Sequence, residues 1–175
     1  MDLYETIRTR RSVRAYRPDP VPEESLKRVL EAARVAPSGS NRQPWKFIVI
    51  RDPQMKEKIA GACGGQSFIA QAPIVIVACG RDIDYNRGGY MDRYSMLVDV
   101  SIALTHLILA ARAEGLGTCW IGFFENERVK GLLGVPSGWD VVGVTPLGYP
   151  QGDPFSARSS RKGPEEVVCE GSFKD

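Results

Sequence analysis

The sequence predicts one domain that mixes α-helices with β-strands, and three observations lead there. Apolar runs at 46–50, 73–79 and 139–147 are short and rich in branched residues, as buried strands are. Helical patterns separate them, the longest over residues 92–115. A chain of 175 residues is enough for one substantial core and short for two.

Residues 2–10 read as a short helix, with Asp2 at its start, Leu3 and Ile7 on one face and arginines at its end. After the turn-rich Arg17-Pro18-Asp19-Pro20, Pro22 with Glu23 and Glu24 opens a second helix, whose Leu26, Val29, Leu30 and Ala33 share a face. Pro37 must stop it. The stretch Ala36-Pro37-Ser38-Gly39-Ser40-Asn41-Arg42-Gln43-Pro44-Trp45 is a polar loop leading into a buried strand at Lys46–Ile50. A helix over Pro53–Ala60 precedes the glycine-containing 61–65, and Pro73–Cys79 is an apolar strand. Residues 81–91, with their Asp, Asn, Arg and Gly, read as an exposed loop.

The 92–115 helix carries two apolar flanks. At about 100° per residue, Asp92, Ser95, Asp99 and His106 form one polar line, and Ser101, Thr105 and Arg112 lie opposite. Met96, Val100, Leu104, Leu107 and Ile108 make one flank; Val98, Ile102 and Leu109 make the other. A surface helix needs only one apolar stripe. Two stripes predict burial from both sides, by a sheet on one and a second subunit on the other. A membrane span is disfavoured by the embedded Asp99, His106 and Arg112.

Gly115 and Gly117 end that helix, and Thr118–Phe124 follows as strand and turn. Glu125–Leu133 is a short helix closed by Gly134 and Pro136, and Trp139–Leu147 is the last clear strand. The tail from Gln151 holds Arg158, Arg161 and Lys162, then a Val167-Val168-Cys169 patch that needs a surface to pack on.

Composition removes several functions. The net charge is only +2, so no protein-wide field recruits nucleic acid or an acidic membrane. Cys63, Cys79, Cys119 and Cys169 form no C-x-x-C pair, which disfavours zinc and a disulfide framework; a single histidine excludes a multi-histidine metal site. That His106 sits mid-helix, where a packed, hydrogen-bonded role outweighs a Ser-His-Asp triad. There is no G-x-x-x-x-G-K-[ST] loop, and Gly115 and Gly117 lack the third glycine of a dinucleotide fingerprint. The N-terminus Met-Asp-Leu-Tyr-Glu has no signal-peptide pattern, so a reducing cytoplasm is expected.

The remaining concentration of chemistry is Arg8-Thr9-Arg10-Arg11-Ser12-Val13-Arg14-Ala15-Tyr16-Arg17. Guanidinium forks and a hydroxyl suit phosphate oxygens. The same charges also suit a helix C-terminus with no ligand at all, and both readings stand on the residues alone. A chain poor in acid–base and metal constellations, yet rich in such donors, suits a protein that holds a cofactor.

Arg10-Arg11-Ser12-Val13-Arg14, the Ala36–Phe47 stretch and Gly-Leu-Gly-Thr-Cys-Trp-Ile-Gly at 115–122 occur in the order and spacing that resemble the nitroreductase family of FMN-dependent oxidoreductases. The resemblance runs from residue 2 to about 169. It implies an α+β fold with a central, mostly antiparallel sheet flanked by helices, and an intertwined homodimer with FMN at the subunit interface. The whole chain, 1–175, would be one FMN-binding domain, its tail from about 151 to 175 reaching the partner. By the same resemblance Arg10 and Ser12 grip the FMN phosphate, Arg14 nears the pyrimidine edge, and Arg11 contributes its backbone. Pro37, Ser38, Gly39, Asn41 and Gln43 come from the other subunit. Ile121 and Gly122 run beside the flavin N5, and Arg161 with Lys162 returns to the phosphate.

The function so implied is electron transfer from NADH or NADPH to an electron-poor small molecule such as a nitroaromatic or quinone, by ping-pong kinetics, with no catalytic side chain and no metal. A flavin-binding or redox-sensing module without NAD(P)H turnover is the alternative. Binding of nucleic acid and a membrane location are not expected. Gly122 departs from the family, many members of which carry Glu there; 81–91 is shorter than the lid insertions of larger members; and Thr105-His106 replaces a frequent Gln-Asn.

Overall fold

The computed structural model describes residues 1–85, 89–156 and 160–173. Four strands, β1 (Trp45–Ile50), β2 (Ile74–Arg81), β3 (Gly117–Thr118) and β4 (Trp139–Gly148), form one antiparallel sheet in the order β1-β2-β4-β3. β2 is central because its side chains are apolar on both faces, and it is buried from Ile74 to Gly80. Alternation along it sends Ile74, Ile76 and Ala78 into one core and Val75, Val77 and Cys79 into another. A register shift at Ala78/Cys79 bends its pairing with β4.

Helices cover both faces. Around the sheet lie α1 (Leu3–Thr9), α2 (Glu23–Arg34), α3 (Pro53–Ala62), α4 (Phe68–Gln71), α5 (Gly89–Asp92), α6 (Ser95–Ala113), α7 (Asn126–Leu133) and α8 (Pro164–Val167). The first core takes Leu26, Val29 and Ala33 of α2 with Val100, Leu104, Leu107 and Ile108 of α6. The second takes Ile59 of α3, Ile69 of α4 and Val129 of α7. Each buried Leu, Ile or Val among them contributes about 1.5–3 kcal/mol by leaving water. The architecture is the α+β arrangement the sequence predicts.

Several elements depart from the sequence reading. β1 is an edge strand, hydrogen-bonded only to β2, and Ile50 alone is fully buried in it. In α1 the face carrying Leu3 and Ile7 points outward, with the two residues 62% and 52% exposed, while Thr6 is the buried one. The 92–115 helix is broken: the Ser95 hydroxyl donates to the Met91 carbonyl at 2.8 Å, and α6 starts afresh from there. Gly115 (φ 76°) does end α6, in the left-handed region where glycine is favoured. Gly117 does something else. A Cβ there would sit 2.7 Å from Val13 Cγ2, so glycine is required for the N-terminal arm to lie against β3.

That arm, residues 10–17, is stitched to the sheet. Ser12 bridges Thr118 in parallel, the Val13 N–H donates to the Thr118 carbonyl at 2.8 Å, and Tyr16 bridges Pro150. Arg112, buried near the end of α6, donates to Thr9 Oγ1 at 3.0 Å and stacks 3.9 Å from the Phe155 ring centroid, tying α6 to α1 and the tail. Among the described residues α6 alone is long and apolar enough to cross a membrane, but its inner face is packed in the core and carries the buried Asp99 and Arg112. Its second flank, Val98, Ile102 and Leu109, remains outside the core and partly exposed, as the two-stripe pattern requires, with Leu97 exposed beside it.

Candidate functional site

The arginine cluster divides at adjacent residues. Arg11 Nη1 donates to the carbonyls of Arg8 and Arg10 at 2.9 and 2.8 Å, the ligand-free helix-end arrangement. Arg10 and Ser12 instead line a cleft of 510 Å³ with Ile7, Thr105, Ile108, Leu109, Thr118 and Trp120. The β3 pairing of Ser12 and the packing of Val13 on Gly117 hold this wall in place. Burial holds the Arg10 guanidinium below its ordinary pKa, and the nearby cations Arg161 and Arg11 push it the same way. The described residues offer Arg10 no carboxylate, so an anion in the cleft would relieve both effects. Arg161 of the tail thus lies within electrostatic reach of Arg10, while Lys162 is exposed. Arg158 lies outside the described residues.

Beneath the cradle is Cys119, 3% exposed. Burial pushes its thiol pKa up, and Arg14, a hydrogen bond with Ser12, and Arg10 pull it back. Arg10, Ser12 and Arg14 therefore all act on one buried thiol, with Arg14 itself exposed. The sequence shows this cysteine only as part of an apolar run.

The loop 36–45 is tightly shaped. Ser38 Oγ accepts from the Gln43 N–H at 2.9 Å, and Gln43 Nε2 donates to the Asn41 carbonyl and Oδ1 at 3.2 and 3.0 Å. Residues Gly39–Asn41 form a 3₁₀ turn, and Ser40, Asn41 and Gln43 all have positive φ (50°, 54° and 48°). Three non-glycine residues in that region cost energy that the surroundings must offset. Pro37, Asn41 and Gln43 are exposed, while Ser38 and Gly39 are half-buried. The Gly39 N–H donates to both carboxylate oxygens of Asp99 on α6, each at 3.1 Å. Sequence reading puts Asp99 on a polar line but gives it no partner; a lone acid on an inward helix face is the signal that could have found it.

In the 115–122 stretch, the Ile121 N–H donates to the Val144 carbonyl at 2.8 Å and is spent on the sheet. Gly122 is exposed, and a Cβ there would meet nothing within 4 Å. The N–H of Gly122 is thus the better candidate donor of the pair. His106 is half-buried on the outward groove of α6 and makes no hydrogen bond among the described residues, which differs from the packed, hydrogen-bonded role expected of it.

One chain does not bring all these residues together. The Arg10–Ser12 cradle sits at Thr105–Leu109, whereas the 37–43 loop is pinned at Asp99, about 9–15 Å away along the axis at 1.5 Å per residue. The cleft has cationic and hydroxyl donors on one wall and apolar Ile7, Ile108, Leu109 and Trp120 elsewhere, which fits a ligand with a phosphate at one end and a flat body. The donor set therefore fits FMN. No group of three or more His, Cys, Asp or Glu able to hold a metal occurs among the described residues.

Comparison with known proteins gives the family. The family model described as the nitroreductase family matches residues 7–66 and 62–149. A Methanothermobacter thermautotrophicus protein with the provisional name NADH dehydrogenase/NAD(P)H nitroreductase is 38% identical over 159 residues, covering 88% of this chain and 80% of its own. The Bacillus subtilis FMN reductase [NAD(P)H] is 33% identical over 187 residues, covering 95% of this chain and 72% of its own. The crystal structure of a nitroreductase family protein from Clostridium novyi NT superposes with a TM-score of 0.81 at 32% identity, covering 90% of this chain and 89% of that one. This chain belongs to the nitroreductase family of oxidoreductases.

Proposed function

We propose that this chain is an FMN-dependent oxidoreductase that takes electrons from NADH or NADPH and passes them to an electron-poor small molecule, such as a nitroaromatic or quinone. The observation that carries the reading is the Arg10–Ser12 wall, cationic and, among the described residues, without a carboxylate partner, opening on a cleft with apolar Ile7, Ile108, Leu109 and Trp120. Bound FMN would supply hydride acceptance from the dinucleotide and delivery of the electrons to the acceptor. The chain's own residues bind and orient. Arg10 and Ser12 hold the phosphate by charge-assisted hydrogen bonds, with Arg161 and Lys162 adding charge from the tail. Arg14 places positive charge near the pyrimidine edge, where it stabilises an anionic ring. The Gly122 N–H donates toward the reactive edge, and the missing side chain leaves that face open.

We further propose a homodimer. The outer groove of α6, 660 Å³ between Tyr94 and Leu109, is apolar and uncovered in one chain. An α6 from a second copy, packed antiparallel there, would bring Pro37, Ser38, Gly39, Asn41 and Gln43 of one subunit opposite the Arg10–Ser12 wall of the other. That arrangement supplies what one chain lacks. Exposed Val167, Val168 and Phe173 give the tail an apolar face for the partner. The buried thiols of Cys63, Cys79 and Cys119, all free, suit a cytoplasmic setting.

Anaerobic stopped-flow mixing of the FMN-loaded protein with NADH or NADPH tests the activity. Bleaching of the flavin band, reversed on adding a quinone or nitroaromatic in a second mix, is the expected result. A flavin that both dinucleotides leave oxidised would support a binding module without turnover instead.

A further inference from the structure

We infer that Asp99 is a positioning residue: with Tyr85 it forms a buried latch that holds the 37–43 loop in its ligand-facing shape. Four observations point to it. Asp99 is 4% exposed and lies on α6, outside the loop it serves. Its two oxygens accept from the Gly39 N–H at 3.1 Å each, and Oδ2 also accepts from the Tyr85 hydroxyl at 2.8 Å. Tyr85 is itself 4% exposed. Among the described residues, every other hydrogen bond between Pro37 and Gln43, such as Asn41 N–H to the Ser38 carbonyl, stays within the loop.

The loop has no apolar anchor of its own. Ala36 and Pro44 are buried at its ends, but Pro37 and Ser40 to Gln43 are exposed. It nevertheless holds Ser40, Asn41 and Gln43 at positive φ, a set of conformations that an unpinned chain would leave. A buried carboxylate that accepts from a backbone N–H and a hydroxyl is a strong, directional clamp, because its lone pairs have no water to turn to. The latch therefore fixes the loop before any ligand arrives, and the ordering cost is removed from binding.

The role in binding rests on the proposed function, which sets this loop against the partner subunit's cofactor; the latch itself does not. The test compares Asp99→Asn, Tyr85→Phe, Ser95→Ala and Arg10→Ala with the wild type by amide hydrogen exchange and by FMN titration of the apoprotein. Ser95 is a buried polar residue of the same helix whose hydroxyl donates to the Met91 carbonyl, outside the loop, and serves as the control. Losing a buried charge-assisted acceptor in Asp99→Asn should speed exchange at residues 39–43 about tenfold and raise the FMN Kd about tenfold. Tyr85→Phe should move both the same way by about threefold. Arg10→Ala should raise the Kd with the loop's exchange unchanged, and Ser95→Ala should alter neither.

Should Asp99→Asn fail to fold, Tyr85→Phe decides alone. Unchanged exchange at 39–43 in the variants overturns the latch, and faster exchange with an unchanged Kd overturns its role in binding. A wild type that takes up no FMN overturns the proposed function and with it that binding role, while the exchange arm still decides the latch.

Discussion

Arg10 and Arg11 are chemically identical and adjacent, yet the backbone sends them to different tasks. Arg11 folds back on two carbonyls of its own helix end, while Arg10 is turned to the cleft by the pairing of Ser12 with Thr118. Arg10→Ala or Ser12→Ala should weaken FMN binding about 10- to 100-fold, the worth of a charged hydrogen bond, with little loss of thermal stability. Arg11→Ala should change affinity less than about threefold, since its bonds stay within the protein. Isothermal titration of the apoprotein distinguishes these outcomes. Gly117 is the packing counterpart. Gly117→Ala forces a Cβ into Val13 and should cost about 1–3 kcal/mol in denaturant unfolding while loosening the cradle wall. The basic cluster was legible in the residues themselves, but its division came only from the family resemblance, because which arginine lines the cleft depends on a strand pairing more than a hundred residues away. Asp99 was hidden for the same reason: the N–H it accepts from belongs to a loop sixty residues distant.

At the scale of elements, α6 organises the molecule. Its two apolar flanks were legible because helical periodicity reports every face, including one that no part of the same chain covers. What periodicity cannot report is direction. The Leu3 and Ile7 face of α1 turns outward, a direction its spacing leaves open, and the apolar 46–50 run reads as a buried strand although it forms the sheet edge. The proposed dimer accounts for the outer flank of α6. Ile102→Glu places a charge in the middle of the α6 groove and should shift the protein to monomers in sedimentation velocity, with FMN affinity falling as the partner's loop is lost. A variant that remains dimeric would place the interface elsewhere.

Taken whole, the molecule is two cores sharing one sheet, and its titration follows from that burial. Cys63 and Cys79 lie in the second core, where burial pushes each thiol up to about 11 from an ordinary 9.0. Between those values the unfolded chain releases protons that the folded chain retains. Stability is therefore intact below pH 9 and falls as pH rises from about 9 toward 11. Urea midpoints measured across that range should decline, and Cys63→Ala/Cys79→Ala should flatten the decline even though the cavities lower its starting point. The central claim, that the Arg10–Ser12 wall is a phosphate cradle for FMN, has a more direct test. Apoprotein titrated with FMN and, separately, with riboflavin isolates the phosphate, because the two ligands share the ring. FMN should bind at least about tenfold tighter, and the gap should close in Arg10→Ala. Equal affinities for the two ligands in the wild type would contradict the account.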